Sequence, residues 1–380
     1  MAERLYYQAA ASFEAARRVA VLPQGHRARR LHGHGFKARV LAELPPAWGG
    51  FDGAETEALT AALGDSVEAL DYTDLNEQLA VPTDEHLAAW VQQQLEHRHA
   101  LPGIVQIGIQ STAEQGVELR LGADDAGTKT RCAHVWRRFR FEAAHRLVNV
   151  PPDHPCGRMH GHGFEVILHA EQELARESNA LPGAAAHMGI DYDQLRALWA
   201  PLHAELDHCC LNDLPGLENP TSELLAAWIW QRLKPREPAL SLVSVYETAT
   251  AGCHYDGQDY RIWKEMRFEG ALRLGRAPVG DPRRRLHGHS YLLRLHLTAP
   301  LDAVLGWTID YGDVKALFKP VYARLDHHEL NGLMGLSDPS TARLACWIRK
   351  AIAEALPQAD RLELTERPGC GVLLCWERAR

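Results

Sequence analysis

The strongest constraint on the fold is a set of sequence landmarks that occurs three times in the same order, about 128 and then about 127 residues apart. Each set begins with Phe-Glu and small residues, continues with His-Gly-His and Leu-Asp, and ends with a proline that leads into a segment containing tryptophan. The phenylalanines are Phe13, Phe141 and Phe268, the His-Gly-His motifs lie at 32–34, 160–162 and 287–289, the Leu-Asp pairs at 70–71, 206–207 and 325–326, and the prolines are Pro82, Pro220 and Pro339. Solenoid repeats recur about every 20–50 residues, so this longer period indicates triplication of a whole domain.

The repeat predicts three domains, at 1–128, 133–258 and 259–380. A chain of 380 residues that is 46% hydrophobic and 24% charged has the composition of a globular protein large enough for several domains. The second join is so short that neighbouring domains are expected to dock on one another.

Composition also argues against several functional classes. A net charge of −8 gives no reason to expect nucleic acid binding. No apolar run approaches the roughly 18 residues that a membrane helix needs, and the N-terminus lacks the apolar core of a signal peptide. Eight cysteines without paired Cys-x-x-Cys spacing do not form a disulfide scaffold. A reducing, cytoplasmic location is therefore expected.

Within the middle domain, apolar periodicity predicts two strands, two helices and a third strand. Alternate residues of 139–145 and of 160–168 share one face, as a half-buried strand requires. A helix is predicted over about 192–205, and a second should begin with Asn219 as N-cap and Pro220 in its first turn. A strand over 242–247 completes an α+β unit, in which two helices cover one face of an antiparallel sheet.

Three histidines in the middle domain form a candidate metal site. His145, His160 and His162 have the parity that places them on one face of a hairpin. A catalytic zinc ion commonly takes three protein ligands and leaves a fourth position open, and no fourth ligand is evident nearby. The alternative is ordinary histidine pairing on a strand. The equivalents of His145 are Arg17 and Leu272, so the other two His-Gly-His motifs are interpreted as structural relics.

Cys156 lies four residues before His160, in a loop rich in proline and glycine. A zinc charge or an imidazolium nearby would lower the pKa of its thiol from about 8.5 and produce a usable thiolate base. Ala28 and Arg283 occupy the aligned positions. The alternative is an inert buried cysteine, which is the interpretation given to the other seven.

Two further acidic motifs are candidates. Asp207-His208 could hold a proton donor in one tautomer, and its equivalents are Asp326-His327 and Asp71-Tyr72. Glu247, aligned with Glu366 and Gln110, could accept two N–H bonds from an amino-pyrimidinone ring. The alternatives are an ordinary surface Asp-His pair for Asp207-His208, which only the repeat argues against, and a solvent-facing charge at a strand end for Glu247.

The middle unit, about 137–256, closely resembles the 6-pyruvoyltetrahydropterin synthase superfamily, whose units are called T-folds. The similar segments are FEAAHRL, CGRMHGHGF, ELDHCCLND, LENPTSELLAAWIW and VYETATAGC. The resemblance implies Zn²⁺ on the three histidines, Cys156 as proton-abstracting base, Asp207-His208 as an acid/base pair and Glu247 as pterin anchor. It also implies that Thr221 and Ser222 lie near the pterin pocket. The flanking units are similar in fold, and their incomplete sites carry no implied activity.

The Cys-x3-His-Gly-His spacing is similar to the bacterial branch, 6-carboxytetrahydropterin synthase. The implied reaction converts 7,8-dihydroneopterin triphosphate to 6-carboxytetrahydropterin, acetaldehyde and triphosphate, on the route to 7-deazaguanine compounds such as queuosine. One alternative is a 6-pyruvoyltetrahydropterin synthase-type triphosphate lyase. Another is a non-catalytic pterin-binding or scaffold protein.

The resemblance also has consequences for assembly. T-fold units typically form trimers that close a twelve-stranded barrel with sites between subunits, so three tandem units would form a pseudo-trimer within one chain. Two such chains could pair face to face as a homodimer. The Asp-His pair that serves Cys156 would then be either Asp207-His208 or, from the neighbouring unit, Asp326-His327. No nucleic acid or membrane partner is expected.

Overall fold

The computed structural model describes residues 3–123, 129–174, 187–336 and 338–376. Each sequence repeat forms two long strands, a helical layer and two more long strands, as alternating apolar residues in the strands and apolar stripes in the helices dictate. The first unit comprises β1 (Glu3–Arg17), β2 (His32–Ala42), α1 (Glu55–Val67), β3 (Thr73–Asp74), α2 (Leu75–Gln78), α3 (Asp84–His99), β4 (Ile104–Thr112) and β5 (Gln115–Ala123).

The second and third units repeat this order. The second comprises β6 (Lys129–His145), β7 (His160–Glu173), α4 (Tyr192–Leu206), β8 (Cys209–Cys210), α5 (Ser222–Leu233), β9 (Leu240–Thr248) and β10 (Ala251–Tyr255). The third comprises β11 (Tyr260–Leu272), β12 (His287–Thr298), α6 (Tyr311–Leu325), β13 (His328–Glu329), α7 (Thr341–Ile352), β14 (Ala359–Arg367) and β15 (Cys370–Trp376).

The twelve long strands close into one antiparallel barrel, which confirms the expected pseudo-trimer. Neighbouring units join where β5 pairs with β6, β10 with β11, and β15 with β1. The two-residue strands β3, β8 and β13 add parallel bridges to β1, β6 and β11. Closure pairs the strand edges that an open sheet would expose.

Strand alternation gives the barrel two different faces. The outer face packs against the helices and forms one core, in which an aromatic pair recurs in every unit: Phe13–Phe36, Phe141–Phe164 and Phe268–Tyr291, with ring centroids 5.0, 5.0 and 4.9 Å apart. Such pairs contribute about 0.5–1.5 kcal/mol beyond their burial. The opposite parity lines the lumen with polar side chains, including His134, Arg294 and Glu363. The outer face therefore carries both the core and the predicted histidine cluster.

Two predictions for the middle unit are corrected. The sequence pattern indicated three strands, whereas β10 is a fourth, which pairs with the next unit. The N-cap of α5 is Thr221, not Asn219, because the Thr221 hydroxyl accepts the Leu224 N–H. The Asn219 side chain instead accepts the N–H of Val148 and fixes the loop after β6.

None of the helices in the described ranges is both long and apolar enough to cross a lipid bilayer. All eight cysteines are free thiols.

Candidate metal and substrate site

The predicted histidines converge because of the register of the β6–β7 hairpin. His145 pairs with His160, and Ala143 pairs with His162. The ring centroid of His145 lies 4.5 Å from that of His160 and 5.2 Å from that of His162. The centroids of His160 and His162 are 5.0 Å apart. The period-two alternation of a strand thus brings three imidazoles to one place on the outer face of the barrel.

Backbone contacts orient two of these imidazoles. Nδ1 of His145 lies 3.0 Å from the Pro220 carbonyl oxygen, and Nδ1 of His160 lies 2.7 Å from that of Arg158. Donation from Nδ1 to a carbonyl leaves Nε2 with a free lone pair, which is the usual arrangement of a metal-binding histidine. Burial lowers the pKa of His145, so the ring is neutral and able to coordinate at neutral pH.

Glu247 is a fourth candidate ligand, which corrects the expectation that none lies nearby. Its Oε1 is 3.3 Å from Nε2 of His162 and 3.8 Å from Nε2 of His145, while its Oε2 accepts a hydrogen bond from Ser222 at 2.6 Å. Burial alone would raise the pKa of Glu247, but His162 and Ser222 outweigh it and hold the pKa below its usual value. The carboxylate is therefore ionised and faces the histidines.

Glu247 lies on the outer face because it shares the parity of the buried Val243 and Val245 on β9, and it also occupies a β-bulge. The pairing of β9 with β10 runs from Tyr246–Gly252 to Thr248–Ala251, so Glu247 is the extra, unpaired residue. Bulges commonly re-aim a side chain beside an active site. Glu366 occupies the same bulge in the third unit, but in the first unit the equivalent residue is Ser111, not the predicted Gln110.

The donor set fits a metal ion. Ligand atoms of His145, His160, His162 and Glu247 all lie within 4.8 Å of one another. Nε2 of His145 and Nε2 of His162 are buried and have no hydrogen-bond partner. Unpaired buried acceptors are costly, and a cation would satisfy both. Among the described residues, this is the group that can hold a metal ion.

Cys156 lies in a 3-10 turn, Pro155–Gly157, beside this cluster in sequence but not among its four members. The equivalent turns are Arg27–Arg29 and Pro282–Arg284, which supports the alignment of the thiol with Ala28 and Arg283. Burial raises the pKa of the thiol, and the carboxylates of Glu247 and Asp310 raise it further. The lowered pKa expected for this thiol therefore requires a bound cation to reverse the local field.

The structure places Asp207 and His208 away from the metal cluster of their own unit. Asp207 accepts the Glu142 N–H at 2.9 Å, and the His208 N–H donates to the Glu142 carbonyl at 2.6 Å. The His208 side chain is 74% exposed and approaches the Glu142 carboxylate, which has the opposite parity to His145 on β6. Asp71-Tyr72 makes the same two backbone bonds, so the aspartate also has a structural role.

Helix α6 also separates Asp326-His327 from Cys156. Asp310 at its start lies 3.4 Å from His154, two residues before the thiol. Asp326 caps its other end, 16 residues later, which corresponds to about 24 Å along the helix. This separation argues against the alternative that Asp326-His327 serves Cys156 within one chain, which stays a prediction. The His327 side chain is 77% exposed.

The neighbouring unit instead contributes a loop to the site. The backbone oxygens of Val304, Leu305 and Gly306 accept hydrogen bonds from Asn149, Asn219 and Thr221, respectively. Thr221 therefore positions this loop and caps α5, while Ser222 holds Glu247, so both predicted residues lie at the site.

Sequence analysis missed Glu223, the residue after Ser222. It is buried, accepts hydrogen bonds from the N–H and hydroxyl of Thr308, and burial raises its pKa to about 7. A carboxyl group perturbed in this way beside a metal cluster is a candidate for ligand recognition. The repeated Pro-Thr-x-Glu at 82–85 and 220–223 was the available signal.

Comparisons with known proteins agree with the repeat. A family profile described as 6-pyruvoyl tetrahydropterin synthase matches residues 6–121, 134–258 and 261–374. A 6-carboxy-5,6,7,8-tetrahydropterin synthase of Synechocystis sp. is 38% identical over 125 residues, which are 32% of this chain and 91% of that protein. A dihydroneopterin monophosphate aldolase of Pyrococcus furiosus is 33% identical over 94 residues, 24% of this chain and 79% of that protein. The solved 6-pyruvoyl tetrahydropterin synthase of Caenorhabditis elegans is 15% identical, covers 32% of this chain and 95% of its own, and has a TM-score of 0.29.

Proposed function

The chain belongs to the 6-pyruvoyl tetrahydropterin synthase family, and from that premise we propose that it is a zinc-dependent 6-carboxytetrahydropterin synthase. The substrate would be 7,8-dihydroneopterin triphosphate, and the products 6-carboxytetrahydropterin, acetaldehyde and triphosphate, with one water consumed. As a member of this family of lyases, the chain is an enzyme. The observation that carries the proposal is the complete set of three histidines and a neighbouring thiol in the middle unit.

The three histidines would hold Zn²⁺, with the Glu247 carboxylate as a fourth candidate ligand. When bound, the ion would supply electrostatic stabilisation to oxygens that gain negative charge on the substrate side chain. Cys156 would remove a carbon-bound proton from that side chain. Glu247 has one oxygen held by Ser222, which leaves the other to meet the metal or an N–H of the substrate.

Two further groups would bind the substrate. Glu223 would recognise N–H groups of the pterin ring, since a buried carboxyl is satisfied best by donors in a fixed plane. Lys264, on β11, is half-buried at the junction of the second and third units, and burial lowers its pKa. Glu247 and Asp310 act on Lys264 in the opposite direction, which places this cation beside the site as a contact for triphosphate.

The names of two relatives favour the carboxy product, whose formation breaks a carbon–carbon bond, over the pyruvoyl product. The Synechocystis relative is named for that product, and the Pyrococcus relative is named as an aldolase, which is an enzyme that breaks a carbon–carbon bond. We expect purified, zinc-loaded protein to release acetaldehyde and form a product with the mass of 6-carboxytetrahydropterin. Triphosphate release without acetaldehyde would identify the pyruvoyl reaction instead. Pterin binding without turnover would identify the non-catalytic alternative.

A second copy of the chain would supply the Asp-His pair. The side chains of His208 and His327 are 74% and 77% exposed, and their backbone N–H groups are held by the carbonyls of Glu142 and Glu269. Neither side chain faces a metal cluster in its own chain. A face-to-face homodimer would place such side chains against the partner's Cys156. This arrangement makes each active site dependent on two chains.

Subunit mixing tests this dependence. Chains carrying Cys156→Ala and chains carrying both His208→Ala and His327→Ala should each be inactive alone. Random mixing should restore about a quarter of wild-type turnover, because half of the two-fold dimers are mixed and each has one intact site. Activity that stays absent after mixing, with mixed dimers seen by native mass spectrometry, would contradict supply by the second copy.

A further inference from the structure

A cavity of about 570 Å³ lies between the first and second units, at the position that the metal site occupies between the second and third. We refer to it as the first-unit pocket, lined among others by Arg17, Ala28, His34, Glu85 and Tyr192. This volume is typical of a small-molecule site.

One wall of the first-unit pocket has a buried carboxyl group, as the metal site has in Glu223. Glu85 is the equivalent of Glu223; it is buried and accepts the Gly189 N–H at 2.8 Å, just as Glu223 accepts the Thr308 N–H. Burial raises the pKa of Glu85 to about 7, the same value as for Glu223. The recognition half of the site is therefore duplicated.

The catalytic half is replaced. Arg17 stands where His145 stands, and its guanidinium takes the equivalent anchor, donating to the Pro82 carbonyl at 2.9 Å where His145 contacts that of Pro220. Ser111 replaces Glu247 in the bulge, and Ala28 replaces the thiol. A fixed cation has thus taken the metal position, and the thiol has no counterpart.

Arg17 retains an unused donor. The residue is 6% exposed, and one terminal nitrogen is shared between Asp84 and the Pro82 carbonyl. Its Nε is buried without a hydrogen-bond partner. A buried N–H without an acceptor costs free energy, and a carboxylate is the acceptor that a guanidinium binds best.

The third unit lacks both the buried carboxyl group and the arginine at the equivalent positions. Ala342 stands in place of Glu85, and Leu272 in place of Arg17. The bulge carboxylate Glu366 is already bonded to Thr56 and Thr341. Recognition groups are therefore kept in one degenerate unit and not in the other.

We propose that the first-unit pocket is a non-catalytic binding site for a pterin-type ring that carries a carboxylate, with Glu85 facing the ring and Arg17 facing the carboxylate. The inference rests on the proposed function, whose product has these two features. Metal bound to three histidines suits the hydroxylated side chain of a substrate, whereas a guanidinium suits a carboxylate.

Binding stoichiometry tests the proposal with pterin-6-carboxylate and unsubstituted pterin as probes on the full, zinc-loaded chain. Calorimetry should show about two sites per chain for the carboxylate probe. Glu85→Gln should remove one site and leave turnover unchanged, and Glu223→Gln should remove the other and reduce turnover. The double variant R17M/D84N, which avoids an unpaired buried carboxylate, should weaken carboxylate binding at the first-unit pocket by about tenfold or more. Its effect on pterin should be smaller.

One site per chain, lost only with Glu223→Gln, would overturn the first-unit site and leave the proposed function intact. If R17M/D84N bound each probe with the same affinity as the wild type does, the role of Arg17 would be overturned. Ala28→Phe, which fills the pocket from a half-buried wall position, should remove the same site as Glu85→Gln. Because it changes no buried charged residue, it tests the site independently if another variant misfolds. No binding of either probe at any site would instead contradict the pterin function itself.

Discussion

Replacing His160 with alanine is expected to lower the zinc affinity of the chain by about a thousandfold and to abolish turnover. A protein zinc site is worth about 10–16 kcal/mol, so loss of one of three imidazoles removes roughly 4 kcal/mol, or three decades. Zinc content after dialysis should fall from about one per chain to near zero, as measured by mass spectrometry of the metal. Circular dichroism should stay unchanged, because His160 is a partly exposed residue at the start of β7.

His287→Ala is the matched control. His287 begins the equivalent strand of the third unit, and its Nδ1 contacts the Arg285 carbonyl at 2.8 Å, as that of His160 contacts Arg158. Its partner across the hairpin is Leu272, which has no ligand atom. The control should keep wild-type zinc and turnover. Equal zinc loss in both variants would disprove a single metal site in the middle unit.

Replacing Cys156 with alanine should lower kcat by about a thousandfold while leaving zinc content and pterin binding near wild type. General base catalysis typically contributes 10²–10⁴-fold or so, and Cys156 is not among the four clustered ligands. Cys210→Ala, at another half-buried thiol, should leave kcat unchanged. A Cys156→Ala variant with wild-type kcat would remove the thiol from the mechanism.

The same thiol has a measurable dependence on metal and pH. Burial and two carboxylates raise its pKa in the metal-free protein, so the thiolate forms only at alkaline pH. A bound cation favours the charged form, lowers the pKa and moves the onset of reactivity to lower pH. Alkylation rates against pH, with Cys156→Ala subtracted, should shift to lower pH on zinc loading. An unchanged profile would show that the metal does not act on Cys156.

Sequence analysis predicted the histidine cluster well because strand alternation is strictly local: parity alone places residues 145, 160 and 162 on one face. It misaligned Gln110 with Glu247 because the segment from the proline landmark to the bulge is two residues longer in the first unit (Pro82 to Ser111, 29 positions) than in the second (Pro220 to Glu247, 27 positions). It left the choice between Asp207-His208 and Asp326-His327 open, since adjacency of units does not indicate which end of the 15-residue helix α6 lies near the thiol. Glu223 was missed because its environment comes from Thr308, on another unit.

The fusion of three units into one chain, whose first and last strands β1 and β15 pair to close the barrel, has an evolutionary consequence. In a ring of identical subunits, every mutation is copied into all three clefts at once, so none can diverge without the others. Here a single gene encodes three separately mutable clefts, and selection on one leaves its sisters free to drift or acquire new tasks. Arg17 and Leu272, at the positions equivalent to His145, show that two of the three clefts already differ from the middle one in the residue that would bind the metal.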